Sequence, residues 1–188
     1  MTRLPRPHSP NPGETTLSSK KQTTPSAAGT PLVQLGPISH VGIVVEDCAQ
    51  AAAWWERVFG IGPFSIDDYQ LDASTNFKFK GEPAEAKMKA AIAYTGKVFV
   101  ELVEVLEGES PHTEFFREHG EGLQHVAFAV RDIDQVVADL APEGLKPILE
   151  YAFETEQGGQ LCRVQEVYLN SAEFIGGSTV QLIEITQI

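Results

Sequence analysis

One eight-residue phrase occurs twice in this chain, and each copy begins with a histidine. Residues 40–47 read HVGIVVED and residues 125–132 read HVAFAVRD, so the histidine, two valines and the final aspartate recur in the same order. Similarity at one long period is the mark of a duplicated architecture. The sequence therefore predicts one supersecondary unit that is present twice.

Each copy predicts a strand followed by a capped helix. Within the stretch 38–45, His40 and Gly42 alternate with Val41 and Ile43, which is the period of a strand with two different faces. Asp47 is predicted to cap a helix over 48–59 that ends at Gly60, and Asp132 a second helix that ends near Leu140. The remaining strands are predicted near 63–70, 87–95 and 97–106 in the first half, and near 123–130, 146–152, 161–170 and 179–187 in the second.

These elements predict an α+β fold class with two tandem βαβββ modules. Module 1 is expected over about 37–107 and module 2 over about 121–188. Ser110 and Pro111 predict a short connector helix over about 110–120, because serine favours the N-cap position and proline the first turn.

Residues 1–36 differ in composition from the rest. They contain six of the twelve prolines and no Phe, Tyr or Trp, so they carry too little apolar area to offset the entropy of ordering. We expect a disordered tail there and a single domain over 37–188. The tail has four basic residues against Glu14 alone, so the formal charge of −12 for the whole chain leaves −15 on the domain.

Such a negative domain is a poor partner for nucleic acid or an anionic membrane, both of which require a basic surface. No apolar run is long enough to span a bilayer. Cys48 and Cys162 are too few and too scattered for a disulfide framework, which favours reduced thiols and a cytoplasmic protein.

Strand alternation puts the two histidines on equivalent faces. If Val41 and Ile43 pack under the first helix, His40 must point to the other face of its sheet, and the same parity applies to His125. Near the end of each half, Glu101 stands between a valine and a leucine, and Glu184 between two isoleucines. We expect each carboxylate to lie opposite its aliphatic neighbours.

Four symmetric placements favour a metal site built from His40, Glu101, His125 and Glu184, because a lone glutamate among aliphatic residues is costly to bury unless it is paired or coordinating. The alternative is that the histidines are hydrogen-bonded core residues and the glutamates face solvent.

The stretches HVGIVVED, VELVEVLEGESPHTEFFREHGEGLQHVAF and GGSTVQLIEI resemble the vicinal oxygen chelate superfamily, and within it the methylmalonyl-CoA epimerase and glyoxalase I branch. The resemblance covers about 37–188. It implies paired βαβββ modules whose curved sheets enclose a shared metal pocket, a homodimer, and metal ligands at His40, Glu101, His125 and Glu184.

Two imidazoles and two carboxylates suit a divalent Zn, Ni, Co, Mn or Fe ion and leave two octahedral positions for a small-molecule substrate. By resemblance to this branch, the ion would polarise a carbonyl and stabilise an enediolate, which implies an isomerase, epimerase or lyase. The expected base is Glu101 or Glu184 after release from the metal, or Lys89, which stands where the epimerases have an additional carboxylate.

Three alternatives remain open. An Fe(II) dioxygenase needs two histidines and one glutamate, so a fourth protein ligand argues against it. A metal-free ligand-binding or resistance protein of the same fold would not need the full ligand set. A structural or partner-binding protein would give no reason for four symmetric ligands.

Overall fold

The computed structural model describes residues 30–188, and the predicted tail lies almost wholly outside them. The strands in this part of the chain are β1 (Ile38–Val44), β2 (Ser65–Leu71), β3 (Lys78–Phe79), β4 (Glu82–Pro83), β5 (Ala86–Thr95), β6 (Val98–Gly108), β7 (Gly122–Ala129), β8 (Pro147–Gln157), β9 (Gln160–Leu169) and β10 (Thr179–Gln187). The helices are α1 (Cys48–Phe59), α2 (Pro111–His119), α3 (Ile133–Leu140) and α4 (Ala172–Ile175).

The described strands form one curled sheet in the order β2-β5-β6-β1-β7-β10-β9-β8-β3-β4. Each half has a parallel inner pair, β1 with β6 and β7 with β10, and antiparallel strands outside it. The two halves meet where β1 and β7 pair antiparallel. The predicted α+β fold with a duplicated βαβββ unit is confirmed.

The caps of the predicted helices are confirmed in detail. The Asp47 carboxylate accepts a hydrogen bond from the Gln50 amide, and Gly60 ends α1 in the left-handed conformation at φ 66°. Asp132 caps α3 in the same way through the Gln135 amide. These signals are local in sequence, so they do not depend on the rest of the fold.

The chain between β2 and β5 joins opposite edges of the sheet. β2 pairs with β5 at one edge, whereas β3 pairs with β8 of the second half, Lys78 opposite Glu150. Between them Phe77 is only 1% exposed and packs with Leu149 and Tyr168. A segment of the first half therefore covers the edge of the second and ties the two halves together.

Two further cores attach the helices. Cys48 and Ala52 of α1 pack on Val100 and Leu102 of β6, and α3 packs on β9 and β10 in the same way. Val33 and Leu35 also pack against the second core, so contacts with the folded body begin before the predicted boundary at residue 37. Across residues 30–188, none of the helices combines the length and apolar character that crossing a membrane would require.

The junction of β1 and β7 contains two bulges and one close contact. Ser39 and Gln124 are skipped in the pairing, so each of the histidines His40 and His125 follows a bulged residue. Gly42 lies opposite His125, and a Cβ at Gly42 would stand 1.8 Å from Cε1 of that imidazole. The missing side chain therefore makes room for the ring.

Replacement of Gly42 by alanine tests this contact. We expect Gly42→Ala to lower the free energy of unfolding by about 1–3 kcal/mol, because the added methyl must displace a buried ring. Chemical denaturation measures the change. Gly122→Ala in β7 is the control, since its Cβ would meet Phe115 at an ordinary 3.5 Å. Equal stability of the two variants would contradict the proposed crowding.

Candidate metal centre

Three of the four predicted ligands meet at the junction of the two halves. The Nε2 atoms of His40 and His125 are 3.2 Å apart, and the Glu101 Oε2 lies 3.5 Å from the first and 3.3 Å from the second. All three side chains are buried or nearly so, with Glu101 17% exposed toward the cavity. β1, β6 and β7 each contribute one residue.

The spacing of these atoms fits a single divalent ion. Ligands bonded at about 2.1 Å are separated by roughly 3.0 Å at adjacent octahedral positions and by about 3.4 Å in a tetrahedron. The observed separations of 3.2, 3.3 and 3.5 Å lie near the tetrahedral value at the upper end of that range. Two nitrogens and one carboxylate oxygen are a donor set that borderline divalent metals accept.

Both imidazoles are in the neutral form, which is the form that binds a metal. Burial lowers the pKa of His40 to about 4, against the opposing effect of Glu101, and burial lowers the pKa of His125 to about 3. Both rings are therefore neutral at pH 7. The Gln124 carbonyl oxygen lies 2.6 Å from the His125 Nδ1 and accepts its proton, which leaves the Nε2 lone pair free for coordination.

Glu184 does not join this cluster, which corrects the expected four-ligand grouping. Its carboxylate lies on the opposite face of β10 and accepts hydrogen bonds from the backbone amides of Asp132 at 2.7 Å and Ile133 at 3.0 Å. It compensates the unpaired donors and the positive dipole at the start of α3. The neighbouring Ile183 and Ile185 line the cavity instead.

The pairing register shows the true counterpart of Glu101. Glu101 stands opposite Gly42, the second residue after His40, and Gln181 stands opposite Ala127, the second residue after His125. Three residues further on, Glu104 accepts from the first amide of α1 as Glu184 does in α3. The repeat therefore aligns ELVE at 101–104 with QLIE at 181–184, and a shift of three residues produced the wrong pairing.

Gln181 is fully buried in the position equivalent to Glu101. Its Nε2 donates to the Glu166 Oε2 at 2.6 Å, and its Oε1 has no hydrogen-bond partner within residues 30–188. The fourth position thus holds a neutral amide rather than the predicted carboxylate.

Lys89 is also outside the site, so its expected catalytic place is corrected. Met88, Ala90 and Ile92 of β5 line the cavity, and Lys89 points to the helix-covered face between them. Its Nζ lies 3.8 Å from the Glu104 carboxylate. The prediction was wrong by one residue along the strand, and a shift of one residue moves a side chain to the other face of the sheet.

The cluster opens into a cavity of about 640 Å³ within the curve of the sheet. The walls are mainly apolar and aromatic, with six Phe or Tyr side chains around the space: Tyr69, Tyr94, Phe99, Tyr151, Phe153 and Tyr168. Tyr69 comes from the segment 64–79 that joins the edges of the sheet. Lys97 is the single Lys or Arg that lines this cavity within the described chain.

Glu166 is a carboxylate in this cavity, and the sequence indicates it only as a secondary pocket candidate for which a structural role is favoured. The Tyr151 hydroxyl and the Gln181 amide both donate to its Oε2, and no hydrogen bond within residues 30–188 uses its Oε1. Burial raises the pKa of Glu166 to about 7, an effect that the hydrogen bond from Tyr151 partly offsets. The alternation along β9 agrees with this placement, because Glu166 shares the cavity face with Val164 and Tyr168.

His112 is a cavity residue that the sequence did not indicate. It lies in the first turn of α2 and is 2% exposed, and its ring packs in edge-to-face geometry with the rings of His125 and Tyr168. The connector helix has no counterpart in the first half, so duplication gave no signal for it.

Two matched amide substitutions separate the roles of the predicted carboxylates. We expect Glu101→Gln to weaken Co²⁺ binding by more than about 100-fold because it removes a charged ligand. Glu184→Gln should keep the Co²⁺ affinity and lower the free energy of unfolding by about 1 kcal/mol, because it weakens the charge at the helix start. Metal titration and chemical denaturation measure both; a shared loss of Co²⁺ affinity would make Glu184 a ligand after all.

The family comparison covers most of the domain. Residues 39–163 match the model of the glyoxalase/bleomycin resistance protein/dioxygenase superfamily. The chain is also similar to a 4-hydroxyphenylpyruvate dioxygenase from Caenorhabditis briggsae, with 28% identity over 124 residues. That match takes in 65% of this chain and only 28% of the dioxygenase, so this chain corresponds to about a quarter of that relative.

Solved structures share the fold at low identity. Methylmalonyl-CoA epimerase from Mycobacterium tuberculosis superposes with a TM-score of 0.54 at 21% identity over 84% of this chain and 91% of the epimerase. A 4-hydroxymandelate synthase variant from Streptomyces coelicolor gives 0.57 at 18% identity over 82% of this chain and 50% of the synthase. By the match of its sequence over 39–163, the chain belongs to the glyoxalase/bleomycin resistance protein/dioxygenase superfamily.

Proposed function

We propose that this protein is a divalent-metal-dependent isomerase, epimerase or lyase that transfers a proton at a carbon next to a carbonyl or carboxyl group. The single observation that carries the proposal is Glu166. It is a carboxylate in the same cavity as the His40–Glu101–His125 cluster, and it has one oxygen that takes no hydrogen bond from residues 30–188. The superfamily is largely enzymatic, which supports catalysis.

His40, His125 and Glu101 are the proposed ligands. A divalent ion held there would act as a Lewis acid that polarises a substrate carbonyl and acidifies the adjacent C–H. Three protein ligands would leave room for vicinal oxygens of a small substrate. Zn, Ni, Co, Mn and Fe all suit this donor set.

Glu166 is the proposed acid–base group. Its Oε2 is fixed by the Tyr151 hydroxyl and the Gln181 amide, so the carboxyl plane is held while Oε1 stays available to take a proton from the substrate and return it. The apolar walls around it limit access of water, which would otherwise exchange with the proton in transit. This role replaces the one expected of Lys89.

An Fe(II) dioxygenase is a second candidate, and a specific observation favours it. With Glu184 on the other face of β10, the cluster is two histidines and one glutamate, the set that non-haem Fe(II) oxygenases use. The dioxygenase among the sequence relatives is compatible with it. The argument from a fourth carboxylate ligand no longer applies.

The predicted homodimer and cytoplasmic location stay predictions, as does the small-molecule partner. Exposed apolar side chains on α1, at Trp54, Val58 and Phe59, support a contact with a second copy. A metal-free binding protein remains the third alternative, and metal analysis separates it from both enzymes.

Hydrogen exchange in D₂O tests the main proposal. Protein loaded with Co²⁺ or Zn²⁺ is incubated with pyruvate, phenylpyruvate and methylmalonyl-CoA, and NMR follows loss of the C–H next to the carbonyl. We expect metal-dependent exchange of at least one compound. Glu166→Gln should reduce that exchange by about 100-fold or more, because it removes a proton acceptor, and should keep the metal.

The same samples discriminate the alternatives. Oxygen uptake that requires Fe(II), without exchange in any compound, would establish the dioxygenase instead. Fewer than one divalent ion per two chains after metal loading would contradict both enzymes. Exchange that persists in Glu166→Gln would keep the metal chemistry and remove Glu166 as the base.

A further inference from the structure

His112 is a buried polar group whose hydrogen bonds are unaccounted for. Neither ring nitrogen has a partner within residues 30–188, although the side chain is 2% exposed. Burying an unpaired donor and an unpaired acceptor is unfavourable. A group of this kind in a native fold calls for an explanation, and a functional role is a common one.

The position of His112 shows which space a missing hydrogen-bond partner would occupy. The ring lines the cavity, with its centroid 5.5 Å from that of the His125 ring and 5.3 Å from that of Tyr168. Ser110 caps α2 and Pro111 opens its first turn, so the helix fixes the backbone from which the His112 ring projects. His112 does not belong to the cluster of possible ligand atoms formed by His40, Glu101 and His125.

We propose that His112 is a substrate-contacting residue, which donates a hydrogen bond to an oxygen atom of the molecule that the metal centre holds. A molecule with two adjacent oxygens held by His40, Glu101 and His125 through a divalent ion would lie beside His125 and so next to the His112 ring. The imidazole N–H would then gain the acceptor that residues 30–188 do not supply. This inference rests on the proposed function, since it assumes an oxygen-bearing ligand at the metal.

Oxalate is a suitable probe because it has two vicinal oxygens, and its binding to Co²⁺-loaded protein can be followed by the visible absorption of the metal. We expect His112→Phe, which keeps the ring and removes both nitrogens, to weaken oxalate binding by about tenfold, as the loss of one hydrogen bond implies. Co²⁺ affinity should stay within about twofold. His112→Gln restores a donor and should bind oxalate within about threefold of the wild type.

Thermal unfolding of the metal-free protein gives an independent measurement. Removal of two unpaired buried nitrogens should leave the melting temperature of His112→Phe equal to or above that of the wild type. If His112 had a structural role instead, the substitution would lower the melting temperature. His119→Phe is the control on the same helix, because His119 is exposed and does not line the cavity; it should change neither quantity.

The outcomes separate this inference from the proposed function. If wild-type protein binds Co²⁺ and oxalate and His112→Phe binds both equally well, the inference is overturned and the metal chemistry stands. Parallel loss of Co²⁺ affinity, or a lower melting temperature in His112→Phe, also overturns it in favour of a ligand or structural role. A wild-type protein that binds no Co²⁺ overturns both.

Discussion

The contact between the His125 ring and the Gly42 backbone is the constraint on which the site depends. The two halves can pair through β1 and β7 only because residue 42 has no side chain under that ring. The same pairing brings the two Nε2 atoms to 3.2 Å and sets Glu101, which lies opposite Gly42 in β6, beside both. One packing contact thus determines the relation of the halves and the spacing of the ligand atoms.

Local signals in the sequence predicted most of the fold and three residues of the cluster. The helix caps at Asp47 and Asp132 and the alternation around His40 act over a few residues, so no tertiary information was needed. The same alternation failed for Glu184 and Lys89. Both faces of this sheet are apolar, one under the helices and one around the cavity, so aliphatic neighbours do not show which face a charged residue takes.

The repeat in the sequence could not indicate the roles of His112 and Glu166. Each occurs in the second half or the connector without an equivalent group in the first, and each is defined by contacts between residues far apart in sequence. Duplication indicates what the halves share. The residues that distinguish the cavity from a symmetric one have to be found by packing, hydrogen bonding and burial.

That asymmetry has a stereochemical meaning. Position 90 in β5 is equivalent to position 166 in β9, since Ala90 pairs with Val103 and Glu166 with Ile183. A methyl group therefore faces the cavity from one half and a carboxyl group from the other. With Glu166 as the proposed acid–base group, a planar intermediate held between the halves would meet its proton from one side only. One-sided delivery returns a proton to the face that it left, so it fits proton transfer between neighbouring carbons, whereas epimerisation needs a second donor on the opposite face.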